Sequence, residues 1–277
     1  LDLYKQNKNE RGTKADFLEK LLKFDSIYVP KYYDVAYKEN GEIASFTPNH
    51  PHAKRMLQKA VVKDMDSVYY PQKQLVPLID VVHDRVTLEL FRGCIRGCRF
   101  CQAGFVYRPV REKRAETLLE QAKKLVAASG HEEISLISLS TSDFTCFPQL
   151  ANGLLEEFTK QEVSISLPSL RIDAFSLDLM EKIQEVRKSS LTFAPEAGSQ
   201  RLRDVINKNL TEEDILKGCE LAFLGGWTRV KLYFMIGLPT ETEEDLKAIA
   251  ELCERIVEKY YELPKEKRPK PVQVTAS

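Results

Sequence analysis

Three cysteines fall within eight residues of each other. Cys94, Cys98 and Cys101 stand in the run Phe91-Arg92-Gly93-Cys94-Ile95-Arg96-Gly97-Cys98-Arg99-Phe100-Cys101-Gln102-Ala103-Gly104, spaced Cys-x3-Cys-x2-Cys, with no fourth cysteine nearby. Thiolates are soft ligands that select zinc, copper(I) or iron–sulfur clusters. A structural zinc ion asks for four ligands in a closed tetrahedron. Cubane clusters ordinarily take four thiolates, so three leave one iron open to bind something else. Two plainer readings compete. Positions 94, 98 and 101 could be the apolar stripe of a buried helix, but Gly93 and Gly97 would each cost that helix about 1 kcal/mol, and Arg96 and Arg99 suit burial badly. A zinc ion completed by a distant ligand is the other.

The spacing resembles the signature of the radical S-adenosylmethionine superfamily, and Phe100, the aromatic residue before the third cysteine, fits the same pattern. The resemblance implies a [4Fe-4S] cluster on Cys94, Cys98 and Cys101. Its open iron would chelate the amino and carboxylate groups of S-adenosylmethionine. One electron would then break the sulfonium C–S bond and give a 5′-deoxyadenosyl radical. A small electron donor such as flavodoxin or ferredoxin is implied as partner.

Elements must position this loop, and the chain is long enough to supply them. It has 277 residues, 43% hydrophobic and 30% charged, ample for a core. Lys plus Arg equals Asp plus Glu at 41 each, so no net charge marks the chain for nucleic acid or a membrane surface. No apolar run is long enough to span a bilayer, no signal peptide is present, and a close cysteine cluster in a chain this long points to metal more than to disulfides. A cytoplasmic protein is expected. Leu1 is not a Met and Ser277 falls inside what reads as a strand, so a piece of a longer protein is expected too.

From Val81 onward strand and helix alternate. Val86, Leu88 and Leu90 make strand one, which runs into the cysteine loop. A helical stripe over Leu118, Ala122, Leu125 and Val126 closes at Ser129-Gly130. Ile134–Leu139 is strand two, Leu150 to Phe158 a helix, and Val163, Ile165 and Leu167 strand three. Leu179, Met180, Ile183 and Val186 suggest a further helix. Leu191-Thr192-Phe193 is strand four, Thr211 and Asp214 cap the next helix, Val230 to Ile236 is strand five, Leu246 to Val257 is helical, and Val272 opens strand six. Repeated strand–helix units imply a parallel sheet with ligands at the carboxyl ends of its strands. Periodicity does not separate an open sheet from a barrel. The family resemblance implies an α/β fold, a partial (βα)6 TIM-like barrel over residues 81–277, cut short at strand six.

Residues 1–80 read as an α+β extension. Lys14 to Phe24 suggests a short helix, Tyr28 to Tyr37 is β-rich, Glu39-Asn40-Gly41-Glu42 is a hairpin turn, and Thr47 to Leu78 is a Pro-punctuated connector. The Tyr28-Val29-Pro30 segment and Val81-Val82-His83-Asp84-Arg85 resemble members that carry a cobalamin-binding-like domain upstream. The charged stretch Lys259 to Lys270 reads as a loop, since Pro264, Pro269 and Pro271 oppose helix.

Three strand ends add candidate ligand groups. After strand two, Leu139-Ser140-Thr141-Ser142-Asp143 offers hydroxyls where the superfamily often places Gly-Gly-Glu to hold the methionine amino group. Ser140 and Ser142 are the candidates, against a plain hydroxyl-capped turn. After strand four, Ala194-Pro195-Glu196-Ala197-Gly198-Ser199 resembles the Glu-Ser-Gly-Ser element of methylthiotransferase-like and elongator-like branches. That implies Glu196 near the ribose hydroxyls and Lys208, twelve positions on, near the methionine carboxylate. The alternatives are a helix-terminal charge for Glu196 and a solvated surface residue for Lys208. After strand five, the resemblance implies that Ile236, Gly237 and Leu238 pack along the adenine, against a plain strand-to-helix turn with a Thr cap.

Arg92, Arg96, Arg99, Arg108, Arg111 and Arg114 crowd the cysteine loop. They would raise the potential of an anionic cluster, meet an anionic substrate or RNA, or simply form a salt-bridged face. His83 reads as structural, and Cys219 and Cys253 as core thiols on helical stripes. Cys146 is left open. The sequence therefore favours a radical S-adenosylmethionine enzyme acting on an unidentified substrate, RNA and protein both being compatible. The alternative is a zinc-stabilised or nucleic-acid-binding module that uses the basic loop without catalysis.

Overall fold

A computed structural model of the chain describes residues 1–168, 171–174 and 191–277. Two compact units are present, Leu1–Lys63 and Asp64–Ser277. The division falls ahead of the 80/81 boundary read from the sequence. Residues just past Lys63 are anchored in the second unit. Met65 is buried, Asp66 accepts from the Arg114 backbone and guanidinium at 3.0 Å, and Tyr70 packs on the core with the Lys113 ammonium 4.3 Å from its ring centroid.

The first unit holds two helices, Asp2–Asn9 and Lys14–Leu21, and an antiparallel hairpin of β1 (Tyr33–Tyr37) and β2 (Ile43–Pro48). Thr13 and Asp16 form a reciprocal capping box on the second helix, which satisfies two otherwise orphaned backbone donors. Leu22, Val29, Tyr33 and Ala53 form a small core, with Tyr33 stacked on Phe46 at 5.1 Å. The helix Asp2–Asn9 was not expected. Six of its eight residues are Lys, Gln, Asn or Asp, so it shows no apolar stripe.

The second unit is built on two three-stranded parallel sheets. One orders β3 (Val86–Glu89), β6 (Glu133–Ile137) and β7 (Ser164–Ser166) side by side. The other orders β8 (Leu191–Glu196), β9 (Arg229–Phe234) and β10 (Gln273–Ala276). The six strands expected from periodicity are these six. Helices Ala115–Ser129, Phe147–Phe158, Glu212–Leu224 and Glu243–Glu262 make crossovers between them. Two apolar clusters fill the interior. One centres on Val86, Leu88, Ile134, Leu136 and Leu154, the other on Phe193, Ile215, Phe223, Leu232 and Leu252. The last helix persists to Glu262, so Lys259 is helical, a correction to the loop expected there. No proline falls between Pro239 and Pro264, and Tyr260, fully buried on the helix face, holds the last turn in the core. The expected helix over Leu179 to Val186 lies outside the described residues.

One element interrupts the first crossover. A short antiparallel pair, β4 (Phe91–Arg92) and β5 (Arg111–Glu112), extends past the end of β3 and carries the cysteine loop at its tip. Two-residue strands leave no periodicity to read. Among the described residues no helix is long and apolar enough to cross a membrane.

Candidate functional site

The cysteine loop is not helical. Gly93 (φ +97°) and Gly97 (φ +84°) take left-handed conformations that other residues adopt only with strain. At Gly93 a Cβ would also lie 2.9 Å from the carbonyl oxygens of Tyr107 and Pro109. Helix starts only at Gln102, with the Cys101 sulfur accepting from the Gly104 N–H at 3.4 Å as its cap. Each glycine is therefore a bend that turns the loop back over the strand ends.

A cavity of about 320 Å³ opens beneath this loop. Cys94, Cys98, Cys101 and Phe100 line one side, and Ser140, Glu196 and Lys208 line it from the ends of β6 and β8. Parallel strands place their carboxyl ends together, which brings residues over a hundred positions apart to one site. Seven of the eleven site residues named from sequence meet here. Ser142 instead accepts from the Arg171 backbone N–H at 3.4 Å. Ile236, Gly237 and Leu238 do not line the cavity. Ile236 is exposed, Gly237 (φ +89°) donates to Glu241 at 2.7 Å, and Leu238 packs beside Leu202 and Ile206. From β9 it is Tyr233 that faces the space.

Glu196 and Lys208 are an ion pair. Lys208 Nζ donates to Glu196 Oε1 at 3.0 Å, and the two side chains are only 12% and 16% exposed. A solvated surface role for Lys208 is thereby excluded. The ammonium also lies 5.9 Å from the Phe100 ring centroid. A bulge aims Glu196. The register of β8 against β9 shifts between Phe193 and Glu196, across Pro195, which has no N–H to give the ladder. Glu196 then sits at φ +70°, turned off the strand toward the cavity.

The turn that delivers Lys208 is built on a buried arginine. Arg203 is 0% exposed and donates to the carbonyls of Ala197, Gly198 and Leu210 and to the Gln200 side chain, at 2.8–3.0 Å. Burial pushes its guanidinium below the usual arginine range. The same turn is stitched to the cysteine loop. Arg99 N–H donates to Ile206 at 2.9 Å, its guanidinium to Val205, and Asn207 to the Gly97 carbonyl at 2.9 Å. Composition gives no hint of these contacts, since backbone carbonyls are their acceptors.

Electrostatics around the thiols are mixed. Burial pushes the Cys98 thiol up, against the pull of Lys208 and Arg171, and the neighbouring Cys101 and Cys94 add to the rise. Metal ligation requires the thiolate, so loading would release a proton. Most of the crowded arginines are engaged. Arg92 forks onto Glu89 at 2.7 and 3.0 Å, Arg96 onto Asp143, and Arg114 onto Asp66, while Arg111 reaches the Pro109 carbonyl at 3.0 Å. Arg171, which was not singled out in the sequence, also lines the cavity. It forks onto Asp173 at 2.9 and 3.0 Å. Its position five residues past β7 is the signal that could have found it.

The donor set fits a cluster with one open iron. Three thiols flank one side of a polar-edged cavity, which the buried Ser140 also lines, its hydroxyl near enough to Asp143 to help hold that carboxyl below the usual range. Among the described residues no three His, Cys, Asp or Glu side chains converge on a single metal ion. A cube asks for something different, one thiolate on each of three irons. Cys219 is fully buried, its thiol pushed up to about 12 by burial, and Cys253 packs on the same core. Cys146 heads the helix Phe147–Phe158 and packs against the other core cluster.

The chain resembles an uncharacterised protein of Methanocaldococcus jannaschii, at 40% identity over 61% of this chain and 36% of that protein. A putative methylthiotransferase of the same organism is 27% identical over 76% of this chain and 46% of that one. The chain thus spans less than half the length of these relatives. Among solved structures, the cobalamin-dependent S-adenosylmethionine radical enzyme OxsB superposes with a TM-score of 0.57 at 18% identity, over 92% of this chain and 35% of OxsB, which shows a shared fold. Residues 88–253, from the strand before the cysteine loop to the helix after β9, match the family model described as the Radical SAM superfamily. The chain belongs to that superfamily, whose enzymes use a [4Fe-4S] cluster and S-adenosylmethionine.

Proposed function

We propose that this chain is the radical-generating core of an enzyme that reductively cleaves S-adenosylmethionine. The observation that carries the reading is the cavity shared by the three cysteines, the buried Ser140 and the mostly buried Glu196–Lys208 pair. Cys94, Cys98 and Cys101 would hold the cluster. Lys208 has the charge to pair with the methionine carboxylate, Glu196 can accept from ribose hydroxyls, and Ser140 can bond the amino group. Bound cluster and cosubstrate together supply a 5′-deoxyadenosyl radical. The chain's own work is to seat them, exclude water and present the radical to one substrate hydrogen.

A small carrier such as flavodoxin or ferredoxin would deliver the electron, and a reducing cytoplasm suits six free cysteines. The putative methylthiotransferase among the relatives supports a group-transfer outcome.

Anaerobic reconstitution with iron and sulfide tests this. Brown protein with close to one four-iron cluster, which forms 5′-deoxyadenosine and methionine under a strong reductant, is expected. Colourless protein carrying stoichiometric zinc and taking up no iron would favour the zinc-stabilised, non-catalytic module.

A further inference from the structure

Arg96 lies between the first two cysteines, yet its side chain is committed to the barrel. Its Nε donates to Asp143 Oδ2 at 2.8 Å and its Nη2 to the other carboxylate oxygen, a planar two-point fork. Nη1 also lies 3.7 Å from Asp173. Asp143 follows β6, and its side chain is only 9% exposed. Asp173 follows β7 and is itself held by the Arg171 fork. Arg171 in turn reaches the Asn209 carbonyl at 3.4 Å, next to Lys208. A chain of polar contacts thus runs from the cysteine loop past the ends of β6 and β7 to the turn that carries Lys208. The Arg96 backbone N–H also points at the Cys94 sulfur, at 3.4 Å.

We infer that the Arg96–Asp143 fork is a positioning device that holds the cysteine loop in its ligating shape, with Asp173 as its second anchor. The inference rests on the proposed cluster role of the cysteines. Only three thiolates retain the cluster, so each must stay in place without help from a fourth. Gly97 and Arg99 tie the later arm of the loop to the turn after β8, and the Arg96 fork ties down the stretch between Cys94 and Cys98. A bidentate Arg–carboxylate pair fixes direction as well as distance, and lysine cannot replace that fork. Neither residue need touch the cosubstrate for this role.

The test is the rate at which reconstituted protein loses iron to excess chelator under anaerobic conditions. Asp143→Asn is expected to lose iron about tenfold faster than the wild type, the worth of one hydrogen bond to a charged group. Arg96→Lys, which keeps the charge but loses the fork, should behave likewise, and Asp143→Glu should recover part of the retention. Glu89→Gln is the control, because it breaks the nearby Glu89–Arg92 fork without touching the Arg96 anchor. It should lose iron at the wild-type rate. Wild-type rates in both Asp143→Asn and Arg96→Lys would overturn the inference, as would equal acceleration in Glu89→Gln. If Asp143→Asn does not fold, Arg96→Lys decides. Wild-type protein that takes up no iron would instead strike down the cluster reading itself.

Discussion

Glu196 and Lys208 were assigned to different parts of S-adenosylmethionine, yet they bind each other. If both readings hold, ligand binding is an exchange in which Lys208 trades the Glu196 carboxylate for the cosubstrate's. The two alanine variants should then differ in kind. Glu196→Ala removes an acceptor of ribose hydroxyls, a loss of roughly 1.5–3 kcal/mol, but also frees Lys208 from its competitor and returns part of that. Lys208→Ala removes the cation and leaves Glu196 unneutralised in the cavity, facing an incoming carboxylate, so the two losses add. Lys208→Ala should therefore weaken affinity more than Glu196→Ala, by about tenfold or more. The double variant should fall short of the sum, since the two residues are in contact. In apo protein the order can be checked independently. Breaking a mostly buried pair leaves one uncompensated charge at a cost of about 3 kcal/mol, or roughly 6–12 °C in Tm for a unit of this size. Calorimetric titration of cluster-loaded protein with S-adenosylmethionine, beside thermal melts of the apo variants, measures both. Equal affinity losses in the two single variants, with an additive double, would refute the exchange.

Other expectations follow from the same geometry. Cys94→Ala, Cys98→Ala and Cys101→Ala should each abolish a stable cluster while the apo fold survives. Cys253→Ala should keep its iron and lose about 1–2 kcal/mol from a small cavity, so iron assays and melts on the four proteins separate the two kinds of thiol. Gly198→Ala would place a Cβ 2.3 Å from the Ile249 nitrogen and 2.5 Å from the Ala248 carbonyl carbon, where helix backbone cannot yield. A loss of about 1–3 kcal/mol is expected, and an unchanged Tm would show that the two elements do not touch. Asp245 accepts from Arg201, Ser199 and Thr242, and the Arg201 guanidinium above all holds its carboxyl well below the usual range. A depressed pKa lends stability that is full above the ordinary carboxylate range and lost as pH falls through the folded value. The gap in Tm between the wild type and Asp245→Asn should therefore be widest near neutral pH and close in acid, and a gap that widens on acidification would contradict the assignment.

What could be read from the sequence was whatever repeats or clusters along the chain. Six strands and their crossover helices announced themselves because each buries one periodic face, and Thr211 and Thr242 start their helices through capping boxes that need only four consecutive residues. The thiol spacing was legible for the same reason. Illegible parts depend on meetings between distant residues or on backbone atoms. Arg203 looks like one charge in a charged stretch, and only the fold shows four acceptors closing around it. Arg171 lies beyond a strand end, where a side chain has no pattern of its own, and Tyr233 lies inside β9, where its facing depends on the register. Ile236 to Leu238 rest on the family resemblance, and Tyr233, which carries no such signature, lines the cavity from β9. The arginines divide along this line. Six cations near three thiols look alike along the chain, but the carboxylates that meet them lie in different places. Arg92 and Arg114, neutralised by Glu89 and Asp66, do not line the cavity, whereas Arg96 lines it beside the thiols and forks onto Asp143 beyond β6. That placement, and not the count of basic residues, is what makes the loop's charge relevant to the cluster.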